Sequence, residues 1–181
     1  MNIPNALSMI RLALVPVFVM VYFSDLPNAH RLAGLVFVCA AFTDMLDGII
    51  ARKFNMITRL GRLLDPLADK TMTAAALVCV IIEGIIPLWV FIVFAAKEVL
   101  MGVGTIVMYK RAKDVMPSNI VGKIATTLFF ASCLVLMIFE IPKLAATIMI
   151  SAALLLTMVA LVVYGIQVYG LIFKKDEQQK P

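Results

Sequence analysis

The chain has 181 residues, of which 63% are hydrophobic and 15% charged, and its formal charge is +5. Soluble domains are nearer half apolar and about a quarter charged, so this composition excludes a soluble enzyme and predicts one all-α domain in a membrane. Most Lys and Arg residues lie in short runs between apolar segments. That distribution reflects membrane topology and contact with anionic lipid head groups, so membrane lipids are expected partners and nucleic acid is not.

Six apolar segments are long enough to cross about 30 Å of hydrocarbon as helices. They lie near residues 6–23, 32–53, 62–83, 86–109, 119–139 and 144–172. Turn-forming residues such as Glu83-Gly84 separate them. The sequence therefore predicts six transmembrane helices, with a membrane domain over residues 1–173 and a polar C-terminal tail over 174–181.

The basic residues predict the orientation of these helices. The second and fourth connections and the C-terminal tail carry the basic runs, whereas the other three connections hold only Arg31 and Lys143. The positive-inside rule then places both termini and the second connection in the cytoplasm. We expect a multi-pass protein of the inner (cytoplasmic) membrane, with a site near the second connection that faces the cytoplasm.

Four aspartates flank the second connection: Asp44, Asp47, Asp65 and Asp69. Spacings of three and four residues place each pair on one helical face. Ionised carboxylates near hydrocarbon cost several kcal/mol unless something compensates them, and like charges also repel. The pattern predicts a site for divalent cations, two of them, of the hard kind such as Mg²⁺, Mn²⁺ or Ca²⁺. The only histidine, His30, is expected in a connection on the other side, which excludes a histidine-based zinc site.

Small and basic residues accompany the aspartates. Gly48 and Ala51 lie on or near the acidic face and allow a ligand to approach closely. Arg52 can reach a phosphate, and Gly61 begins the next helix, where backbone N–H groups favour an anion. Such a set predicts a site for a polyphosphate ester, in which two metals can clamp a diphosphate. An aspartate at the edge of the site can serve as the base for an incoming hydroxyl.

Two other interpretations compete with this one. The acids can form an interfacial charge network with neighbouring basic residues, or they can line the path of a divalent-cation transporter. Four acids on two matched helical faces argue against the network. Their position near one interface argues against the transporter, since Glu98 is the one other acid deep in an apolar segment.

The spacing of these residues matches a known signature at every fixed position. The string is Asp44-x2-Asp47-Gly48-x2-Ala51-Arg52-x8-Gly61-x3-Asp65-x3-Asp69. It resembles the CDP-alcohol phosphotransferase family, and the six-helix pattern extends the resemblance over nearly the whole chain. The resemblance implies transfer of a phosphatidyl group from CDP-diacylglycerol to an alcohol, with CMP leaving.

The family resemblance also implies roles for the individual residues. Two divalent cations, Mg²⁺ or Mn²⁺, are held by the four aspartates, and Asp69 is also the base that deprotonates the acceptor hydroxyl. The CDP moiety is held by Gly48, Ala51, Arg52 and Gly61. Family members also commonly form homodimers. A catalytically silent relative is the third alternative, which the intact motif argues against.

The start of the chain resembles one branch of the family. The pattern Asn2-x-Pro4-Asn5-x-x-Ser8-x-x-Arg11 looks like the phosphatidylglycerolphosphate synthases, whose acceptor is glycerol 3-phosphate. The cardiolipin synthases, which use phosphatidylglycerol, share most of these features and are the alternative. The phosphatidylglycerolphosphate synthase branch often has Arg-Glu in the fourth helix, where this chain has Lys97-Glu98. Lysine keeps the positive charge but loses the bidentate phosphate geometry of arginine, so this departure is compatible with a different acceptor.

Four further residues each have two interpretations. Asn5 contacts the nucleotide or N-caps the first helix. Arg11 binds a phosphate or extends its guanidinium to the interface. Arg111 and Lys123 bind the acceptor phosphate or only mark the cytoplasmic side of the membrane.

Overall fold

The computed structural model is all-α throughout the part of the chain that it describes. It describes the backbone of residues 3–53, 61–112 and 120–178, and the side chains of residues 6–46, 67–106 and 120–167. Its helices are α1 (Ile3–Tyr22), α2 (Ala29–Lys53), α3 (Gly61–Ile82), α4 (Leu88–Ala112), α5 (Ile120–Ile138) and α6 (Lys143–Gln178). The predicted all-α membrane class is confirmed, and each predicted apolar segment corresponds to one of these helices.

The first turn of α2 begins earlier than predicted. Asn28 has a φ of 63°, a left-handed conformation that Asn tolerates better than most residues. The Ala29 N–H donates to the Leu26 carbonyl at 3.1 Å and the Leu32 N–H to the Asn28 carbonyl at 3.0 Å. Because the helix starts at this turn, His30 lies in α2, and its predicted place in a connection is wrong.

A glycine ends α3 where the sequence predicted a turn. Gly84 has a φ of 68°, which a residue with a Cβ adopts only with strain. Its N–H donates to the Ile81 carbonyl at 2.8 Å, and the Ile85 N–H donates to the Val80 carbonyl at 3.1 Å. These are the two hydrogen bonds of a Schellman cap, and they give the Val80 and Ile81 carbonyls at the end of α3 their donors.

Several helices have the length and apolarity to cross a membrane. Four such stretches are Ala29–Leu46, Leu88–Ile106, Ile120–Ile138 and Lys143–Gln167, and α1 contributes the shorter apolar stretch Ala6–Tyr22. Large apolar side chains on these helices point outward, as with Leu155 at 66% and Ile166 at 67% exposure. Outward-facing apolar side chains fit contact with lipid, and the chain is an integral membrane protein. The count of six spans stays a prediction. The last helix, α6, continues beyond the predicted residue 172 into the polar tail.

The chain divides into two compact units. Unit 1 consists of α1, α2, α3 and residues 133–142, with α1 packed against both α2 and α3. The rings of Phe18 and Phe37 meet with centroids 6.0 Å apart in the α1–α2 contact. A Cβ on Gly34 of α2 would lie 3.1 Å from Cγ1 of Ile138, so glycine permits the close approach of these two segments.

Unit 2 consists of α4, residues 120–132 of α5, and α6. The rings of Phe94 and Phe129 stack nearly parallel, with centroids 5.2 Å apart, and join α4 to α5. Along the α4–α6 contact, Gly104 leaves room for the ring of Tyr164, whose Cε1 would lie 3.3 Å from an added Cβ. The Tyr164 hydroxyl lies 3.1 Å from Oγ1 of Thr105 on α4.

A polar cluster joins the three helices of unit 1 at one end. The Tyr22 hydroxyl donates to Oε2 of Glu83 at 2.7 Å, and Nε2 of His30 lies 2.7 Å from Oε1 of the same carboxylate. The Tyr22 and His30 rings also contact each other, with centroids 4.7 Å apart. Since these residues come from α1, from α2 and from the turn after α3, one carboxylate ties three helices together.

We predict that Tyr22→Phe destabilises the protein by about 1.5–3 kcal/mol, because hydrogen bonds to charged groups contribute that much and Glu83 is partly buried. Thermal unfolding in detergent, followed by circular dichroism, measures the loss. Tyr164→Phe is the matched control, since its hydroxyl contacts a neutral, exposed threonine. Equal losses in the two variants would contradict a special contribution from Glu83.

Candidate active site

Asp44 of α2 forms an ion pair with an arginine in the interior of unit 1. Its side chain is 44% exposed, whereas that of its partner Arg11 on α1 is 1% exposed. Nη1 of Arg11 donates to Oδ1 of Asp44. The guanidinium therefore reaches the carboxylate from the buried side, and the carboxylate stands between the arginine and the surface. Sequence reasoning did not predict this pair.

Asp69 of α3 is exposed, whereas two neighbours on the same helix are buried. Ala68 is 1% and Met72 2% exposed, so these residues face the core of unit 1. Oγ1 of Thr73 donates to the backbone carbonyl of Asp69 at 3.1 Å, a bond within the helix that leaves the carboxylate unengaged by Thr73. The position of Asp69 at the edge of the packed surface keeps an acidic side chain accessible to a ligand.

The other predicted site residues belong to described helices, but their side chains lie outside the described part. They are Asn5 on α1, Asp47, Gly48, Ala51 and Arg52 on α2, Gly61 and Asp65 on α3, and Arg111 on α4. The predicted facing of the two aspartate pairs thus concerns side chains that the structure does not describe. What it does bring together is α2 and α3, which contact each other and both pack against α1.

The chemistry of the described acids fits a divalent cation. Among the side chains that the structure describes, no three or more His, Cys, Asp or Glu residues gather as a metal site, but only Asp44 and Asp69 of the four aspartates fall in that part. Both present carboxylate oxygens, the ligands that hard cations prefer. Asp44 already attracts a guanidinium, which indicates that this acidic region is stabilised by positive charge.

Unit 2 contains a separate cavity of about 260 Å³. Its wall includes Lys97 of α4, Lys123 and Thr126 of α5, and Tyr164 of α6. Lys123 is exposed, whereas Lys97 is 2% exposed. Lys123, which the sequence proposed for the acceptor phosphate, and Lys97 therefore line the same cavity.

The buried ammonium of Lys97 is compensated on two sides. Its Nζ donates to Oε1 of Glu98, and it lies 5.6 Å from the ring centroid of Phe94, within cation–π distance. That ring is fixed in turn by its stacking on Phe129. A paired, buried charge in an apolar helix is expensive to break, so Lys97 is held in place at the cavity wall.

Comparison with known proteins identifies the family. Residues 1–164 match the model of the CDP-alcohol phosphatidyltransferases. The chain belongs to this family, as the aspartate motif predicted. It is therefore a membrane transferase whose donor substrate is a CDP-linked alcohol. The family is generally dependent on divalent cations.

Three relatives illustrate which members of the family the chain is similar to. The chain is 31% identical over 153 residues to the CDP-diacylglycerol–glycerol-3-phosphate 3-phosphatidyltransferase of Bacillus subtilis, covering 78% of this chain and 79% of the relative. It is 32% identical over 171 residues to a probable phosphatidylglycerophosphate synthase of Mycobacterium tuberculosis, covering 90% and 79%. It is 36% identical over 126 residues to a putative cardiolipin synthase of Mycobacterium bovis, covering 70% and 59%.

Proposed function

We propose that this protein transfers the phosphatidyl group of CDP-diacylglycerol to glycerol 3-phosphate, giving phosphatidylglycerol phosphate and CMP. The observation that carries the proposal is the similarity to two relatives named for this reaction, over about four fifths of their lengths. The relative named as a cardiolipin synthase is matched over 59% of its length. Transfer to phosphatidylglycerol is accordingly the second candidate.

The aspartates would hold the two divalent cations, Mg²⁺ or Mn²⁺. The four ligands are Asp44, Asp47, Asp65 and Asp69. Bound there, the cations would neutralise the diphosphate of the donor. The CDP moiety would lie against Gly48, Ala51, Arg52 and Gly61, with Asn5 as a further contact. Support comes from the complete motif and from the packing of α2 against α3.

Asp69 is the proposed base of the reaction. Its carboxylate takes the proton of the acceptor hydroxyl while that oxygen forms a bond to the phosphatidyl phosphorus. The bond from this phosphorus to the CMP oxygen breaks, and CMP leaves with the electron pair. The exposure of Asp69 supports this role, because the base must reach a proton on an incoming molecule.

The cavity of unit 2 is the proposed site of the acceptor. Its wall carries the Lys123 side chain that the sequence proposed for the acceptor phosphate. Lys123 would bind the acceptor phosphate. Arg111 on α4 is a further candidate for the same phosphate. The hydroxyls of Thr126 and Tyr164 can orient the glycerol.

The cellular setting remains part of the proposal. We place the protein in the inner (cytoplasmic) membrane with both termini and the active site on the cytoplasmic side, as the distribution of basic residues predicts. The domain would extend over residues 1–173 with 174–181 as its tail, and the protein would act as a homodimer.

An acceptor screen tests the function directly. Purified protein receives CDP-diacylglycerol, Mg²⁺ or Mn²⁺ and one acceptor alcohol at a time, and CMP release is measured. We expect metal-dependent release with glycerol 3-phosphate. Release with phosphatidylglycerol alone would instead support cardiolipin synthesis, and no release with any acceptor would overturn the transferase proposal.

We expect Asp69→Asn to lower kcat by about 10²–10⁴-fold, the usual contribution of a general base, because an amide does not accept the proton. Binding of CDP-diacylglycerol should survive, since three aspartates remain. Asp25→Asn, which removes an exposed acid from the α1–α2 connection, is the control. Complete loss of donor binding would show that Asp69 acts chiefly as a metal ligand.

Lys123→Ala should raise KM for glycerol 3-phosphate by about tenfold or more, because a hydrogen bond to a charged group contributes about 1.5–3 kcal/mol. The KM for CDP-diacylglycerol should stay unchanged. Lys143→Ala removes an equal charge from the start of α6, outside the cavity wall, and is the control. An unchanged acceptor KM in Lys123→Ala would remove this residue from the phosphate site.

A further inference from the structure

The burial of Arg11 is at odds with a direct contact between this residue and a substrate. Its side chain is 1% exposed, and Ser8, one turn earlier on α1, is also buried at 1%. Both residues therefore lie on the face of α1 that packs inside unit 1. An arginine that binds a soluble phosphate, or that extends its guanidinium to the head groups, must expose its nitrogens. This burial favours a partner inside unit 1 over the two roles that the sequence offered for Arg11, which stay predictions.

The contact with Asp44 defines a different role. Nη1 of Arg11 donates to Oδ1 of Asp44 from the interior, while the Asp44 side chain as a whole is 44% exposed. A carboxylate has two oxygens and about four acceptor sites, so one donor leaves most of its capacity available. The exposed side of Asp44 can therefore meet a cation while the buried side stays bound to the arginine.

We propose that Arg11 is a positioning residue for the metal site, which fixes the carboxylate of Asp44 in the orientation that binds a divalent cation. This inference rests on the proposed role of Asp44 as a metal ligand. Carboxylates that bind metals are generally held by hydrogen bonds from a second layer of residues, and loss of such a partner typically weakens metal binding about 10–100-fold.

The charge of Arg11 gives it a second effect at the same contact. A guanidinium carries a positive charge, so Asp44 has a counter-charge at this contact. Before metal binds, this counter-charge offsets the repulsion between Asp44 and the neighbouring acids of the motif. The contact thus holds the carboxylate in place in advance, and cation binding does not have to order it.

Binding of Mn²⁺ without any substrate tests the proposal. Electron paramagnetic resonance of free Mn²⁺ gives the Kd for the detergent-solubilised full-length protein. We expect Arg11→Met to raise that Kd about 10–100-fold and Arg11→Lys to raise it less, since lysine keeps one charged donor. Arg31→Met is the matched control, because it removes the same charge from an exposed site at the opposite end of α2 and should leave the Kd unchanged.

Steady-state kinetics at saturating metal separates positioning from phosphate binding. The KM for glycerol 3-phosphate should be the same in Arg11→Lys and wild type. An unchanged or lower Kd for Mn²⁺ in Arg11→Met would overturn the proposal, and so would a raised acceptor KM in Arg11→Lys at saturating metal. If Arg11→Met does not fold, the Kd for Mn²⁺ of Arg11→Lys is compared with that of Arg31→Lys, and the proposal requires the higher Kd in Arg11→Lys. Wild-type protein that binds no Mn²⁺ would overturn the metal site itself, which separates that failure from a failure of Arg11 alone.

Discussion

Unit 1 depends on one electrostatic constraint. The carboxylate of Asp44 lies at the surface of an apolar helix unit and needs a positive charge beside it. A carboxylate that is partly removed from water must find positive charge, or it becomes protonated. Asp44 finds that charge in Arg11, which α1 carries into the interior of the unit. The packing of α1 against α2 is therefore part of the electrostatics, because it brings the guanidinium of Arg11 to the carboxylate of Asp44.

In unit 2 the charge that needs compensation is positive. Lys97 is an ammonium inside an apolar helix, and it is stabilised by the adjacent Glu98 and by the face of Phe94. A charge pair that only stabilised the fold would be a poor choice, since well-packed apolar residues of similar volume are often equally stable. The lysine of this pair lies at the wall of the cavity that we propose for the acceptor.

The sequence predicts the architecture well because its signals are local. Hydrophobic length located the helices, and Gly84 marked the end of α3 because a left-handed residue is needed there. The family motif was equally visible, since its spacing follows the helical period. The start of α2 was missed, because a left-handed Asn28 gives only a weak signal in the sequence, and His30 was misplaced with it.

The partner of Arg11 could not be read from the sequence for a different reason. Helical period places Arg11 on α1 but does not say which neighbour faces it, and 33 positions separate it from Asp44. Only the tertiary packing decides whether such an arginine points to water or to the core. The same holds for the cavity of unit 2, whose lysines lie on different helices.

The lysine at position 97 bears on which acceptor the enzyme uses. Arginine presents a planar fork that grips a phosphate through two nitrogens, whereas lysine presents one compact charge. In this chain the ammonium of Lys97 already donates to Glu98, which offsets its charge and occupies one of its donors. The direct grip on an acceptor phosphate would then fall to Lys123, which is exposed on the same wall.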